Sequence, residues 1–197
     1  DKTSLQPVAE ARLRSIDKSN RCRYEMTVDA DLSGILSDPR RYAVENTARG
    51  ASAIIRNCTV EYNRARSLLI STPGDVLIEN CRFSSMMAGI RICGDANYWF
   101  ESGNTRNVVI RNNSFTDLGI GGREPQAILQ IDPIIPKDAR TNDFFYHDRI
   151  VFENNIVSTF DAQVIYALSV KSLEIKNNKF IDTGTYAPLF PQLSVID

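Results

Sequence analysis

Five times along the chain, apolar and polar residues alternate into the same eight-residue pattern: AIIRNCTV (53–60), VLIENCRF (76–83), VVIRNNSF (108–115), IVFENNIV (150–157) and LEIKNNKF (173–180). Alternation with period two predicts a short half-buried strand on each side of an asparagine. Asparagine is the side chain best suited, after glycine, to the left-handed backbone of a tight turn. Its first copy falls at 57, 80, 112, 154 and 177, so the steps are 23, 32, 42 and 23 residues. A basic period of 23 therefore carries insertions of 9 and 19. The chain has 15 asparagines and 8 of them occupy two columns of this pattern, which makes the repeat a structural unit and not an accident of composition. A second strand-like stretch follows within each unit, for example SLLIS (67–71) and VIYALSV (164–170), where an α/β fold would need an amphipathic helix.

Repeating strands and a turn in register predict an all-β fold, a right-handed parallel β-helix solenoid of the pectate-lyase type. Residues 46–197 would form about five coils. Successive coils would stack about 4.8 Å apart. The inward columns are then Ile55, Ile78, Ile110, Phe152 and Ile175; Cys58, Cys81, Asn113, Asn155 and Asn178; and Val60, Phe83, Phe115, Val157 and Phe180. Stacked amides can donate and accept from rung to rung, which removes the cost of burying them unpaired. The two cysteines serve that column as small apolar groups. Residues 1–45 lie outside the repeat, and the alternation in 8–16 and 23–32 predicts a hairpin or the end of a small barrel, an annex that could cap the first coil.

Subtracting the repeat locates the insertions. Five residues, STPGD (71–75), follow the second strand of the first coil, whereas fourteen, GDANYWFESGNTRN (94–107), stand there in the next. In the third coil the extra length divides between GIGGREPQ (119–126) and DPIIPKDARTNDFFYHDR (132–149). The loops at 94 and 132 leave the same corner of neighbouring coils, so they should stand side by side as one wall of a groove. Both open on a carboxylate. Stacking would bring Asp95 and Asp132 roughly 5 to 8 Å apart, within the range of acid/base pairs in glycoside hydrolysis. Asp also opens loops simply by capping turns. Tyr98 and Trp99 offer aromatic faces that suit either a sugar or the scaffold, and Glu101 follows them. Arg64 and Arg66, one coil earlier, carry forked donors that suit hydroxyls or a carboxylate.

Charge and composition narrow the classes. The balance of 23 Lys+Arg against 24 Asp+Glu offers no field to attract nucleic acid or an anionic membrane. No run of about 18 apolar residues exists to span a bilayer. A single histidine, His147, rules out multi-histidine metal sites and reads as structural at the end of its loop. The four cysteines show no CxxC spacing. No metal or other cofactor is expected, and carboxylates are the candidate chemical groups. No charged start leads into an apolar stretch at Asp1, which leaves open a mature or truncated form.

At NRARSLLISTPGDVLIENCRF (63–83), GDANYWFESG (94–103) and VVIRNNSF (108–115) the chain resembles the bacterial α-1,3-galactosidases of glycoside hydrolase family one hundred and ten, in their C-terminal half. RYEMTVDADLSGIL and YAVENTARGASAIIRNCTV are similar to that family's passage from a small inserted barrel back into its β-helix. The resemblance implies a secreted or periplasmic enzyme that removes terminal α-galactose from blood-group-B-type glycans, without metal, by inversion between paired carboxylates. It implies Arg64, Arg66, Asp95, Trp99 and Glu101 as residues that shape the sugar pocket, with Asp95 and Glu101 as the leading carboxylates; the loop spacing adds Asp132 as a third carboxylate candidate and Tyr98 as a second aromatic face. The family's Asp-Asp pair on an earlier coil has no counterpart here, since no Asp-Asp dipeptide occurs in the chain. Two classes therefore stay open, a glycoside hydrolase and a non-catalytic glycan-binding or structural β-helix. A uronate lyase, which would want a basic groove, ranks below both. The expected partner is a galactose-terminated glycan, and further polypeptide ahead of residue 1 or a homo-oligomer stays open.

Overall fold

The computed structural model describes residues 1–189 except 36, 39, 102, 122–125 and 162. Near the N-terminus β1 (Leu13–Lys18) and β2 (Tyr24–Val28) form an antiparallel hairpin whose residues, Val28 aside, are exposed. Coils then follow one another. The first holds β3 (Ala53–Arg56), β4 (Thr59–Asn63) and β5 (Leu68–Ile70); the second β6 (Asp75–Glu79), β7 (Arg82–Ser85) and β8 (Ile90–Ile92). The third holds β9 (Asn107–Arg111), β10 (Ser114–Thr116) and β11 (Leu129–Ile131); the fourth β12 (His147–Glu153), β13 (Ile156–Thr159) and β14 (Ile165–Ala167). β15 (Val170–Lys176) and β16 (Lys179–Asp182) begin a fifth. Equivalent strands pair in parallel, giving sheets β3-β6-β9-β12-β15, β4-β7-β10-β13-β16 and β5-β8-β11-β14. This is a parallel β-helix, built on the repeat.

The turn asparagines stand in file. Asn57, Asn80, Asn112, Asn154 and Asn177 have φ between 53° and 57°, the left-handed conformation the pattern requires. One residue on, the amide column forms as expected. Asn155 Oδ1 accepts the Asn113 backbone amide at 2.9 Å and the Asn113 side-chain amide at 3.1 Å, while Asn155 Nδ2 donates to the Ile110 carbonyl and to Asn178 Oδ1, both at 3.0 Å. Asn113 Oδ1 in turn accepts the Cys81 amide at 2.9 Å. Cys81 takes the next place in the column, its sulfur 3.5 Å from the Cys58 amide. Each rung thus answers the backbone groups that a left-handed turn strips from the ladder.

Between the sheets Ile78, Ile110, Phe152, Phe83, Phe115 and Val157 are buried, and the rings of Phe83 and Phe115 stack at 5.1 Å. Ile175 and Phe180 keep their place in the same columns, paired in register with Phe152 and Val157, but are 46% and 52% exposed because they lie on the outermost coil of the described residues. On the outside of the first sheet Glu79 bridges Arg56 and Arg111 of the flanking coils. Hydrogen bonds and charge from Arg111, with a smaller share from Arg56, hold its carboxyl below the ordinary range despite its burial.

Candidate functional site

The third sheet, β5-β8-β11-β14, carries the site. Its strands are three residues long, so the outer residues point into the core and only the middle one points out. Registers Leu69↔Arg91, Arg91↔Gln130 and Gln130↔Tyr166 align these middle residues in one outward row. At its centre the Arg91 guanidinium grips Asp132 with both arms, Nε to Oδ1 at 2.7 Å and Nη2 to Oδ2 at 2.8 Å. Gln130 Nε2 donates to the same Oδ2 at 2.8 Å. Burial works to lower the Arg91 pKa, but the Asp132 bonds and charge, with contributions from Cys93 and Glu101, raise it on balance. Beside it, burial pushes the Cys93 thiol up to about 11, so this group stays protonated at neutral pH.

Both long loops rise from the edge of this sheet that follows its strands, and they travel together. The Ile134 amide donates to the Gly94 carbonyl at 2.8 Å where they begin, and the Asp148 amide to the Thr105 carbonyl at 2.9 Å where they end. Gly94 is required by close approach: a Cβ there would lie 2.3 Å from the Tyr146 ring. His147, fully buried, accepts the Thr105 amide at 3.2 Å on Nδ1, with the Thr105 hydroxyl 2.9 Å away, and so ties the two loop ends. Burial lowers its pKa to about 3, which keeps the ring neutral and suits a structural histidine.

Asp95 and Asp132 share this edge but do not face one another. Across the rung the Asp132 amide meets the Ile92 carbonyl and the Ile134 amide meets Gly94, so the two carboxylates are offset along the strand direction. Each has its own partners. The Asp95 carboxylate turns back into its own loop and accepts the amides of Asn97 (2.7 Å), Tyr98 (3.1 Å) and Trp99 (2.9 Å). Burial alone would raise its pKa, but those three donors, aided by Arg91, hold it below the ordinary range. The loop closes where the Asp95 amide donates to the Glu101 carbonyl at 3.0 Å. Its tip holds Tyr98 and Trp99, each 78% exposed, and Phe100 under the Lys2 ammonium. The Glu101 carboxylate accepts no hydrogen bond among the described residues, and its charge falls on Arg91 and Cys93.

Arg64 and Arg66 occupy the opposite corner, between β4 and β5, with Arg64 exposed and Arg66 half-buried. Neither makes an ion pair among the described residues. They thus stand at the end of the row opposite the aromatic loop, before β5, whereas that loop follows β8. Of the insertion 119–126, residues 122–125 lie outside the described residues. Next to Asp132 a cavity of about 460 Å³ opens, lined by Gln130, Asp132, Ile134, Arg140, Gln163 and Tyr166 among others. Among the described residues no group of three or more His, Cys, Asp or Glu is placed to hold a metal ion. Sequence reasoning missed Arg91, Gln130, Tyr166 and Arg140. Aligning the middles of GIRIC, ILQID and VIYAL, instead of the asparagine motifs alone, would have put the first three in one column.

Known proteins agree with this architecture. "Alpha-1,3-galactosidase B" of Bacteroides thetaiotaomicron is 34% identical over 195 residues, covering 94% of this chain and 30% of that protein. "Alpha-1,3-galactosidase B" of Akkermansia muciniphila is 36% identical over 180 residues, covering 90% and 22%. "Alpha-1,3-galactosidase A" of Bacteroides fragilis is 31% identical over 187 residues, covering 93% and 30%. The chain therefore spans less than a third of the length of these relatives. The family model described as "Right handed beta helix region" matches residues 43–190. With its parallel sheets and asparagine file, the chain belongs to the right-handed β-helix family, and what it carries on that scaffold is kin to bacterial glycosidases.

Proposed function

We propose that this chain forms the galactose-holding part of a secreted or periplasmic α-galactosidase-type glycoside hydrolase that acts on the terminal sugar of glycans. The observation that carries the reading is the identity to α-1,3-galactosidases across nearly the whole chain, through the coils whose outward row is Arg91, Gln130 and Tyr166. Arg91 and Asp132, locked together, present fixed donors and acceptors to sugar hydroxyls. Trp99 and Tyr98 stack on the apolar face of the ring, and Arg64 and Arg66 reach the glycan from the opposite edge. Asp95 positions the aromatic loop. Glu101, whose carboxylate accepts no hydrogen bond among the described residues, is the group suited to exchange a proton with the glycosidic oxygen or with water. Inversion needs a second carboxylate across the sugar, which the whole polypeptide would supply.

A non-catalytic glycan-binding module is the second reading, favoured because Asp95 and Asp132 are both engaged by internal donors. Galactose release from an α-1,3-linked galactobiose separates the two. Turnover by the whole polypeptide, with its second carboxylate in place, that drops at least ~100-fold in Glu101→Gln supports the hydrolase, in line with the usual weight of general acid–base catalysis. Galactose-dependent thermal stabilisation without turnover supports the binder. Neither turnover nor stabilisation at high galactose concentration rejects both.

A further inference from the structure

The cavity beside the Arg91–Asp132 pair is lined in part by Arg140, an exposed residue whose charge is paired by nothing among the described residues. Arg140, at the end of the short 3-10 turn Lys137–Ala139, donates from Nε to the Ile135 carbonyl at 3.1 Å, which fixes the plane of the guanidinium. Its two terminal nitrogens make no hydrogen bond or ion pair among the described residues. The carboxylate that shares the cavity, Asp132, is already held by Arg91 and Gln130. Tyr166, 40% exposed, lines the same cavity with the neutral amide of Gln163, and Ile134 and the prolines on either side add apolar surface. A volume of about 460 Å³ is ample for one hexose ring.

From this we infer a subsite for an acidic saccharide unit: a sugar ring rests on Tyr166, and its carboxylate or sulfate ester takes the free fork of Arg140. The inference rests on the glycan reading above but adds a charge requirement to it. A planar fork tethered by its Nε is pre-organised for a two-point contact with a carboxylate or a sulfate, which a lysine cannot match. A neutral sugar would gain only the stacking and the amide.

Binding of galactose, galacturonate and galactose 6-sulfate to the full chain tests this, by calorimetry or by the chemical shifts of Tyr166 and Arg140 signals. At least one of the two acidic sugars should bind about tenfold more tightly than galactose, in keeping with the strength of charge-assisted bidentate contacts. Whichever leads identifies the group recognised. Arg140→Met should abolish the advantage and leave galactose affinity unchanged, Arg140→Lys should retain only part of it, and Arg82→Met, on the second sheet, should leave it intact. Equal affinity for all three sugars, no detectable binding of either acidic sugar, or an advantage that survives in Arg140→Met overturns the proposal. The two readings fail separately: acidic sugars that depend on Arg140 while galactose does not bind would keep the subsite and remove the galactosidase reading.

Discussion

Two corners of the same coil have opposite characters. At the corner between the first and second sheets every coil makes the same turn, with an asparagine at φ near 55° and an amide or thiol behind it bonded to the next rung. At the corner after the third sheet the connection runs to four residues between β5 and β6, fourteen between β8 and β9 and fifteen between β11 and β12. The first corner cannot vary, because each side chain there completes the hydrogen bonding of its neighbours on both sides. The second can, because among the described residues its backbone bonds to the next coil where the loop begins and ends, as at Gly94 with Ile134 and at Thr105 with Asp148. Solenoids keep function where the repeat does not bind coil to coil.

Breaking the fixed corner should cost most. Asn155→Ala removes an amide with four hydrogen bonds and strands the buried Asn113 amide and Ile110 carbonyl, so about 3 kcal/mol should be lost, read from the urea midpoint at constant m. A loss below about 1 kcal/mol would mean that the column is ornamental.

At the loop corner the sensitive point is His147. Its folded pKa of about 3 lies below the ordinary 6.5, so the unfolded chain binds the extra proton between those values and stability falls as pH drops through that window. At pH 4.5 the histidine alone should cost roughly 2–3 kcal/mol relative to pH 7. It is the only histidine, so its ring proton resonances report the titration directly, and an inflection near pH 6.5 in the folded protein would remove the tie between the loop ends.

Asp95→Asn should cost least. It keeps an acceptor but gives up the charge on three amides, for about 1 kcal/mol and faster proteolysis within 95–101, with no change at the asparagine corner. Equal cleavage rates in mutant and parent would show that the loop is held by something else.

The same contrast governs what could be read from sequence. Asn57 or Asn113 is visible because the residue type itself performs the turn or the ladder, so identity and spacing repeat together. Arg91, Gln130 and Tyr166 sit in equally strict register, yet nothing requires an outward residue of a three-residue strand to resemble its neighbour above. Their column is chemically mixed and invisible to a search for likeness. Asp132 was legible as a residue that opens a loop, but not its capture by Arg91, which comes from 41 positions earlier in the chain. Asp95 read in sequence either as an acid/base candidate or as a residue that caps its own loop, and spacing alone could not choose; in the fold its oxygens accept the amides of Asn97, Tyr98 and Trp99.

That arrangement around Asp95 has a thermodynamic corollary. A run of three aromatic residues on a floppy tether would forfeit much of its contact energy in becoming ordered, residue by residue, on meeting a ligand. Pinned at its base by one carboxylate and zipped shut by the bond from Asp95 to Glu101, this loop is already ordered before any encounter. Whatever touches Trp99 meets a preassembled tip, and the cost of immobilising it has been met during folding.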